Sequence, residues 1–450
     1  MLKGLEVSEV RFSELNNEHR IDAEYFSKEN LLEIKRLSDF GTFQIGDIAE
    51  VTDGIHTSID YDENSRVNLI SATSPKENVF DLSRGAFISE KAHAENPRTA
   101  LRKNDVIIST VGTIGNCAVV DDSILPANSD RHVGIIRIKD DYSPYVLSTF
   151  LLSKYGRMQT LRESTGNVQL NLFIYKLREL QIPNFSTDFQ QKIESLVKSA
   201  HAKLSESKSL YAQAEDTLLC ELGLKDWQPK NEAVSIKPFS DFASSGRLDA
   251  EYYQSKYDEI EAKIKAVPFK TIAELQVFNA RGVQPDYISN GTVLVVNSKH
   301  ILENGLDYDN FEKTTTEFLK QNGRATIKEN DILIYTTGAN IGRAQPYLIS
   351  DLAVASNHVN ILRLDGINPL YAAFVLNSKI GRLQTEKLCT GSAQAELYPS
   401  DIEKFLIPIL PQETQKQIAE LIQTSFALRQ ESKRLLEQAK RMVEMEIENA

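Results

Sequence analysis

Two stretches of the chain read nearly alike: SPYVLSTFLLSKYGRMQT at residues 143–160 and NPLYAAFVLNSKIGRLQT at residues 368–385. Eight of eighteen positions are identical, at a constant offset of 225: Pro144/Pro369, Leu151/Leu376, Ser153/Ser378, Lys154/Lys379, Gly156/Gly381, Arg157/Arg382, Gln159/Gln384 and Thr160/Thr385. Upstream, RIDAEYF (20–26) returns as RLDAEYY (247–253) at an offset of 227. Asn104-Asp105 returns as Asn330-Asp331 at 226. An offset that barely drifts marks one unit present twice. Solenoid repeats recur every ~20–50 residues, so a period this long makes each copy a domain-sized body. A duplicated unit suits a partner that is itself duplicated or in two parts.

Farther upstream, VSEVRFSE (7–14) matches VSIKPFSD (234–241), so the copies run from about residue 1 to 224 and from about 233 to 450. Residues 223–232 between them carry Gly223 and Pro229 and read as a helix stop and linker. Each copy has the same order of parts. An Arg-x-Asp-Ala-Glu-Tyr helix start comes first. Short runs rich in Val, Ile and Thr come after it, at 105–110, 133–138, 292–296, 331–336 and 359–364; these predict strands separated by Gly, Asn and Asp turns. A helical segment comes next (144–161; 369–388), then a short apolar segment ending in Ile182-Pro183 or Ile407-Pro408. The fold class is α+β.

Each copy ends in a long helix. In the first, Ile193, Val197, Ala200, Leu204, Ser207, Tyr211, Ala214 and Leu218 alternate spacings of four and three, the signature of a coiled-coil seam. The same register in the second gives Ile418, Ile422, Ser425, Arg429, Ser432, Leu436, Ala439 and Val443, where Arg429 interrupts the seam and Leu421, Leu428, Leu435 and Met442 widen the stripe. Two helices of matched length in matched places predict that they pair with each other. About 30 residues at ~1.5 Å each span roughly 45 Å. An antiparallel pair of that length predicts a caliper with a reading head at each end, spanning on the order of 13 base pairs.

Composition narrows the function. A hydrophobic content of 41% and a charged content of 25% describe an ordinary globular chain. No apolar run approaches the ~20 residues of a membrane span, and the N-terminus has no signal-peptide core. Three scattered cysteines, Cys117, Cys220 and Cys389, predict a reducing cytoplasm rather than a disulfide framework or a zinc knuckle. A net charge of −12 argues against coating nucleic acid by bulk electrostatics and favours confined basic patches or a more basic partner. Motifs for chemistry are absent. The sequence has no G-x-x-x-x-G-K-[ST], no G-x-G-x-x-G, no H-E-x-x-H and no Cys-x-x-Cys. It also lacks an Asn-Pro-Pro-Tyr type methyltransferase motif, and Pro285-Asp286 is not followed by an acid-x-Lys within reach. His132 and His358 recur in the duplication within strand-like runs, which assigns them structural or base-contacting roles.

The architecture resembles the specificity (S) subunit of type I restriction-modification systems. Local phrases match as well. Asn104-Asp105 with Gly112-Thr-Ile-Gly115, and Asn330-Asp331 with Gly338-Ala-Asn-Ile-Gly342, look like the family's turn after a strand. Ile-Pro followed by Gln190/Gln191 and Ile193, or by Gln412, Gln415 and Ile418, looks like the start of its conserved helices. Residues 218–227 look like the end of the first conserved helix and the segment after it. The resemblance covers essentially the whole chain. It implies target-recognition domain 1 at residues 1–186, conserved helix 1 at 187–224, a linker and second-repeat start at 225–246, target-recognition domain 2 at 247–411 and conserved helix 2 at 412–450. It further implies a non-catalytic subunit whose two β-rich domains each read half of a bipartite double-stranded DNA site. The helices would form an antiparallel coiled coil and dock two methyltransferase subunits. S-adenosylmethionine, and ATP in assemblies with restriction (motor-nuclease) subunits, would sit on those partners, with no cofactor in this chain. Two other readings stay open: a scaffold of a related phage-defence system without its own sequence readout, and a self-contained methyltransferase or nuclease.

Base readout needs donors and acceptors on loops that reach a groove. Arg98 and Arg324 correspond at an offset of 226, as do Arg102 and Lys328, and Lys91 and His93 lie near the first pair. Arg131 and His132, with Arg84 and Asn128, flank turns in the first copy. Arg281, Asn340 and Arg343 do so in the second, and Asn297, Lys299 and His300 directly follow a strand there. The paired arginines fit phosphate contacts, since the two halves should read different sequences. The non-matching loops 52–76 and 279–290 are where specificity should differ. The other reading of each residue is a solvated surface charge. Arg157/Arg382 and Gln159/Gln384 fit either a framework role or a shared phosphate clamp; Asp22/Asp249 and Glu24/Glu251 fit structural or partner-facing roles.

Overall fold

The structure, a computed structural model, describes residues 7–12, 15, 20–83, 85–166, 168–229, 234–391 and 395–449. Arg84, Ser13, Glu14 and the linker residues 230–232 therefore lie outside the described residues. The chain divides into two compact units: Met1–Leu204 with Gln430–Ala450, and Ser205–Arg429. Each unit holds one β-rich domain and one half of each long helix.

In the first unit, strands Ala49–Asp53, Val133–Ile138, Val106–Ser109 and Cys117–Val119 lie side by side in that order, all antiparallel. A second sheet orders Ala86–Ile88, Val67–Ile70 and Ala127–Ser129, the last two parallel. The second unit repeats the plan. Gln276–Arg281, Val359–Leu364, Ile332–Tyr335 and Ala344–Pro346 form the antiparallel sheet. Its second sheet orders Glu312–Thr314, Val293–Val296, Ala353–Ala355 and Thr326–Ile327, with 293–296 and 353–355 parallel. Val106–Ser109 and Ile332–Leu333–Ile334 are buried at every residue. This is why they read as continuous apolar runs rather than alternating ones: both faces are covered. The Ile-Pro segments form two-stranded ribbons, Gln181–Pro183 with Thr42–Gln44 and Leu406–Pro408 with Phe269–Thr271.

Several of the recurring residues make framework contacts. Asn104 and Asn330 adopt left-handed backbone, φ 72° and 71°, a conformation that asparagine tolerates better than most residues. The turn buries Asp105 (3% exposed) and Asp331 (0%). Each carboxylate accepts the backbone N–H three residues back, at Arg102 (2.8 Å) and Lys328 (2.7 Å). Each also pairs with an arginine from the neighbouring strand, Arg137 at 3.2 Å and Arg363 at 2.7 Å. Burial pushes the Asp105 carboxyl above its ordinary value despite the N–H of Arg102 and the guanidinium of Arg137. Gln159 and Gln384 use both ends of their amides on the closing ribbon. Gln159 donates to Gln181 O (2.8 Å) and accepts from Gln181 N (2.9 Å); Gln384 does the same with Leu406, at 3.1 Å and 2.6 Å. Arg157 donates to Ile114 O (3.1 Å) and Asn116 Oδ1 (2.6 Å), holding the glycine turn. Asp22 and Asp249 each take a fork from the arginine two residues before them.

The long helices are Thr187–Glu221 and Gln412–Glu448. Inside the first unit, Ile193 and Val197 share one core with Ala439, Val443 and Ile447. Inside the second, Ala214 and Leu218 share a core with Ile418 and Ile422. The early part of each helix thus meets the late part of the other, so they pair antiparallel. Within the second unit, Ser207 and Ser425 bring the backbones close. Each hydroxyl donates to the other residue's carbonyl at 2.8 Å, and the two hydroxyl oxygens lie 3.0 Å apart. Ser432 and Ala200 are also buried, so the small residues of the seam sit at helix contacts. Arg429, the break in the seam, is half-buried, and burial lowers its pKa below the ordinary value although Glu303 and Tyr211 lie nearby.

Candidate nucleic-acid interface

In each unit the two sheets meet at one edge, where a parallel strand pair ends. Parallel strands carry their carboxyl ends to the same side, and loops leaving that side converge. In the first unit, Asp130 N donates to Ile70 O (3.0 Å) and Ile55 N to Ser129 O (2.8 Å). In the second, Ser356 N donates to Val296 O (3.0 Å) and Val283 N to Ala355 O (3.0 Å). The chain crosses this point without room for a side chain. A Cβ on Gly54 would stand 2.1 Å from Asp130 O, and one on Gly282 would stand 2.1 Å from Ala355 O. The glycine turn lands on the same edge, since Thr110 N donates to His132 O and Thr336 N to His358 O. A Cβ on Gly115 or Gly342 would meet the hydroxyl oxygen of Thr160 or Thr385 at 2.7 or 2.4 Å. That contact links the turn to the threonine that closes each copy of the opening motif.

On the first unit's edge, Arg98 reaches Asp53. Its Nη1 donates to Asp53 Oδ1 (3.0 Å), to Asp53 O (3.0 Å) and to the Thr52 hydroxyl, while Nη2 donates to Gly54 O (3.1 Å). His56 Nε2 contacts the same carboxylate at 2.5 Å. Burial alone would raise the Asp53 carboxyl, but hydrogen bonds from His56 and Arg98 carry it below its ordinary value. His132 Nδ1 lies 3.5 Å from Asp130 Oδ2, and exposed Arg131 lies beside it. Arg98 is held by Asp53 yet stays accessible. An exposed pair of this kind is worth only about 0–1 kcal/mol, so a phosphate or a base edge can take over the arginine. Such pairing reconciles a basic edge with a net negative chain.

On the second unit's edge, Arg281 donates to Leu397 O (3.0 Å) and stacks 4.5 Å from the Tyr398 ring centre, with Glu396 at 3.9 Å. Its Nε is buried and finds no partner among the described residues. Arg324 is exposed on the short 3-10 turn Gly323–Ala325 beside the strand that ends at Arg281. Asn340 lies in the glycine turn, and Arg343 O closes that turn by accepting Tyr335 N at 2.8 Å. Asn297 and Lys299 follow the strand end, joined to Glu312.

Several expectations are corrected. His300 is 1% exposed, packed on Phe311 and facing Glu312, because the 3-10 turn after Asn297 folds its ring inward; burial depresses its pKa. His93 is hydrogen-bonded to Asn128, which is itself buried and donates to Thr99 Oγ1 at 2.8 Å. Both therefore brace the short helix Glu90–Glu95. Lys91 on that helix is exposed, 3.9 Å from Glu95. Arg102 and Lys328 precede strands whose far ends carry the edge, so they sit at the opposite end, beside Arg137 and Arg363. The sequence offered no signal for Asp53, His56, Gln284, Tyr287 and Glu312, beyond placing the first two and Gln284 and Tyr287 in the non-matching loops. Among the described residues, no group of His, Cys, Asp or Glu could hold a metal ion, and no helix is long and apolar enough to cross a membrane.

A family model described as the type I restriction modification DNA specificity domain matches residues 37–212 and again 269–441. Among solved structures, the chain is similar to a type I restriction-modification system S subunit from M. genitalium, with 12% identity over 90% of this chain and 94% of that one and a TM-score of 0.43. It is also similar to the HsdS subunit from Thermoanaerobacter tengcongensis, with 16% identity over 91% and 95% and a TM-score of 0.28. No curated protein sequence matches.

Proposed function

Because the chain belongs to the family of type I restriction-modification DNA specificity domains, which both of its repeats match, we propose that it is the non-catalytic subunit that reads a bipartite DNA target and recruits adenine methyltransferase subunits. The observation that carries this reading is the repeated edge. Both units place their polar loops at the carboxyl ends of a parallel strand pair, on the same framework and with the matching Arg98 and Arg324, but with residues beside them that differ: Asp53 and His56 in one, Arg281, Asn297 and Asn340 in the other. A shared framework with divergent edges is what two half-sites of unrelated sequence require. Arg98 and Arg324 serve as phosphate contacts, and residues of the non-matching loops read bases.

The antiparallel helices set the gap between half-sites and dock two methyltransferase subunits. Where restriction subunits exist, they join the same assembly. Methyl transfer from S-adenosylmethionine, and any ATP-driven step, belong to those partners. The test is a binding selection. The chain, assembled with its methyltransferase subunit, is offered random duplexes, and bound DNA is sequenced. Enrichment of two short motifs at one fixed separation supports the reading. Enrichment of no sequence by a complex shown to be assembled would shift the assignment to a scaffold.

A further inference from the structure

Among the described residues, the second unit carries a polar network at its edge that the first lacks. Gln284 Nε2 donates to Tyr287 Oη (2.9 Å), Tyr287 Oη donates to Asn297 Oδ1 (3.1 Å), and Asn297 Nδ2 donates to Glu312 Oε2 (2.8 Å). Beneath it, Asn297 N donates to His300 Nδ1 (3.0 Å), so the ring's other nitrogen bears the proton, 3.1 Å from Glu312 Oε2. Lys299 pairs with the remaining carboxylate oxygen. Gln284 and Tyr287 are exposed, Asn297 is half-buried, and His300 is enclosed. In the first unit the residue after the corresponding strand is Ser71, whose hydroxyl contacts Thr73 at 3.1 Å.

The network fixes which way the Asn297 amide points. Bonds from Lys299 and Asn297 outweigh burial and keep Glu312 below the ordinary carboxylate range. An ionised carboxylate only accepts, so the amide nitrogen must face it. A carboxamide has two N–H donors and an oxygen with two lone pairs. Glu312 uses one donor and Tyr287 one lone pair, leaving one donor and one lone pair on a half-exposed group. One donor next to one acceptor is the pattern that pairs with N7 and the N6 amino group of adenine in the major groove.

We propose that Asn297 reads an adenine in the half-site of the second unit, with Glu312 as the positioning residue that locks its amide and Gln284 and Tyr287 flanking the same base pair. This rests on the DNA-reading function above and assigns one base to one side chain. The test uses the full chain assembled with its methyltransferase subunit and the bipartite duplex found by selection, with each base pair of both half-sites replaced in turn and methyl transfer measured.

Asn297→Ala should lower discrimination at one A·T pair of one half-site by roughly 10- to 100-fold, with the other half-site and the gap unchanged. Glu312→Gln should relax that same pair although Asn297 is intact, because a neutral amide no longer dictates the orientation of its neighbour; a purely structural role would lower the rate on all duplexes alike. If Asn297→Ala does not assemble, Asn297→Ser keeps a hydroxyl for Tyr287 but cannot make the paired contact, and should give the same relaxation. Unchanged discrimination in the variants, or relaxation in both half-sites, would overturn the inference. A wild-type complex without any bipartite preference would instead overturn the function on which it rests.

Discussion

Asp331 shows what single residues contribute here. Its carboxylate is fully buried, accepts a backbone N–H and is forked by Arg363. Asp331→Ala leaves a largely covered guanidinium without its partner, and should cost about 3 kcal/mol, read as a lower midpoint in denaturant. Asp105→Ala should act in the same direction through Arg137. At the edge, Asp53 predicts a pH effect. Its carboxyl is held below the ordinary value, so the ion pair with Arg98 contributes stability above the unfolded pKa of about 3.9. That contribution fades as the pH falls through the depressed folded value. Arg98→Ala should move the Asp53 titration upward in a carboxyl NMR experiment; an unmoved titration would show that His56 alone sets it.

Among the elements, the small residues of the helix seam define the closest approach. Ser207→Leu or Ser425→Leu forces bulk between backbones joined by reciprocal hydroxyl bonds, and should cost about 1–3 kcal/mol, whereas Ser207→Ala should cost about 1 kcal/mol, both read from chemical unfolding of the full chain. This level was also the most legible in the sequence. The four-three spacing from Ile193 to Leu218 and from Ile418 to Val443 depends on local periodicity, and most of those positions are buried. Repetition at a constant offset revealed Asn104/Asn330 and Gln159/Gln384 as a set. It could not say that they were framework, because the partners that decide it, Arg137, Arg363, Gln181 and Leu406, come from strands remote in sequence. For the same reason His300 looked available: three residues after a strand, a histidine faces solvent or core according to the fold of one short turn. Glu312, from a neighbouring strand, left no local trace beside Asn297. Loops 52–76 and 279–290 stood out only by failing to match, and that failure located the edge without naming its residues.

For the molecule as a whole, the proposed division of labour predicts that helix length and edge chemistry act separately. Inserting one heptad into each long helix adds about 10 Å at ~1.5 Å per residue, and should widen the gap between half-sites by about three base pairs while both half-sites stay the same. Exchanging residues of the 279–290 loop should change one half-site and leave the gap alone. We propose that one chain with two divergent edges on a repeated framework specifies a two-part DNA target. The deciding measurement expresses the chain with its methyltransferase subunit in a methylation-free host and maps modified adenines by single-molecule sequencing. The prediction is a single asymmetric motif of two short parts with a fixed gap. An unmodified genome, with the methyltransferase shown to be folded and bound to this chain, would contradict it.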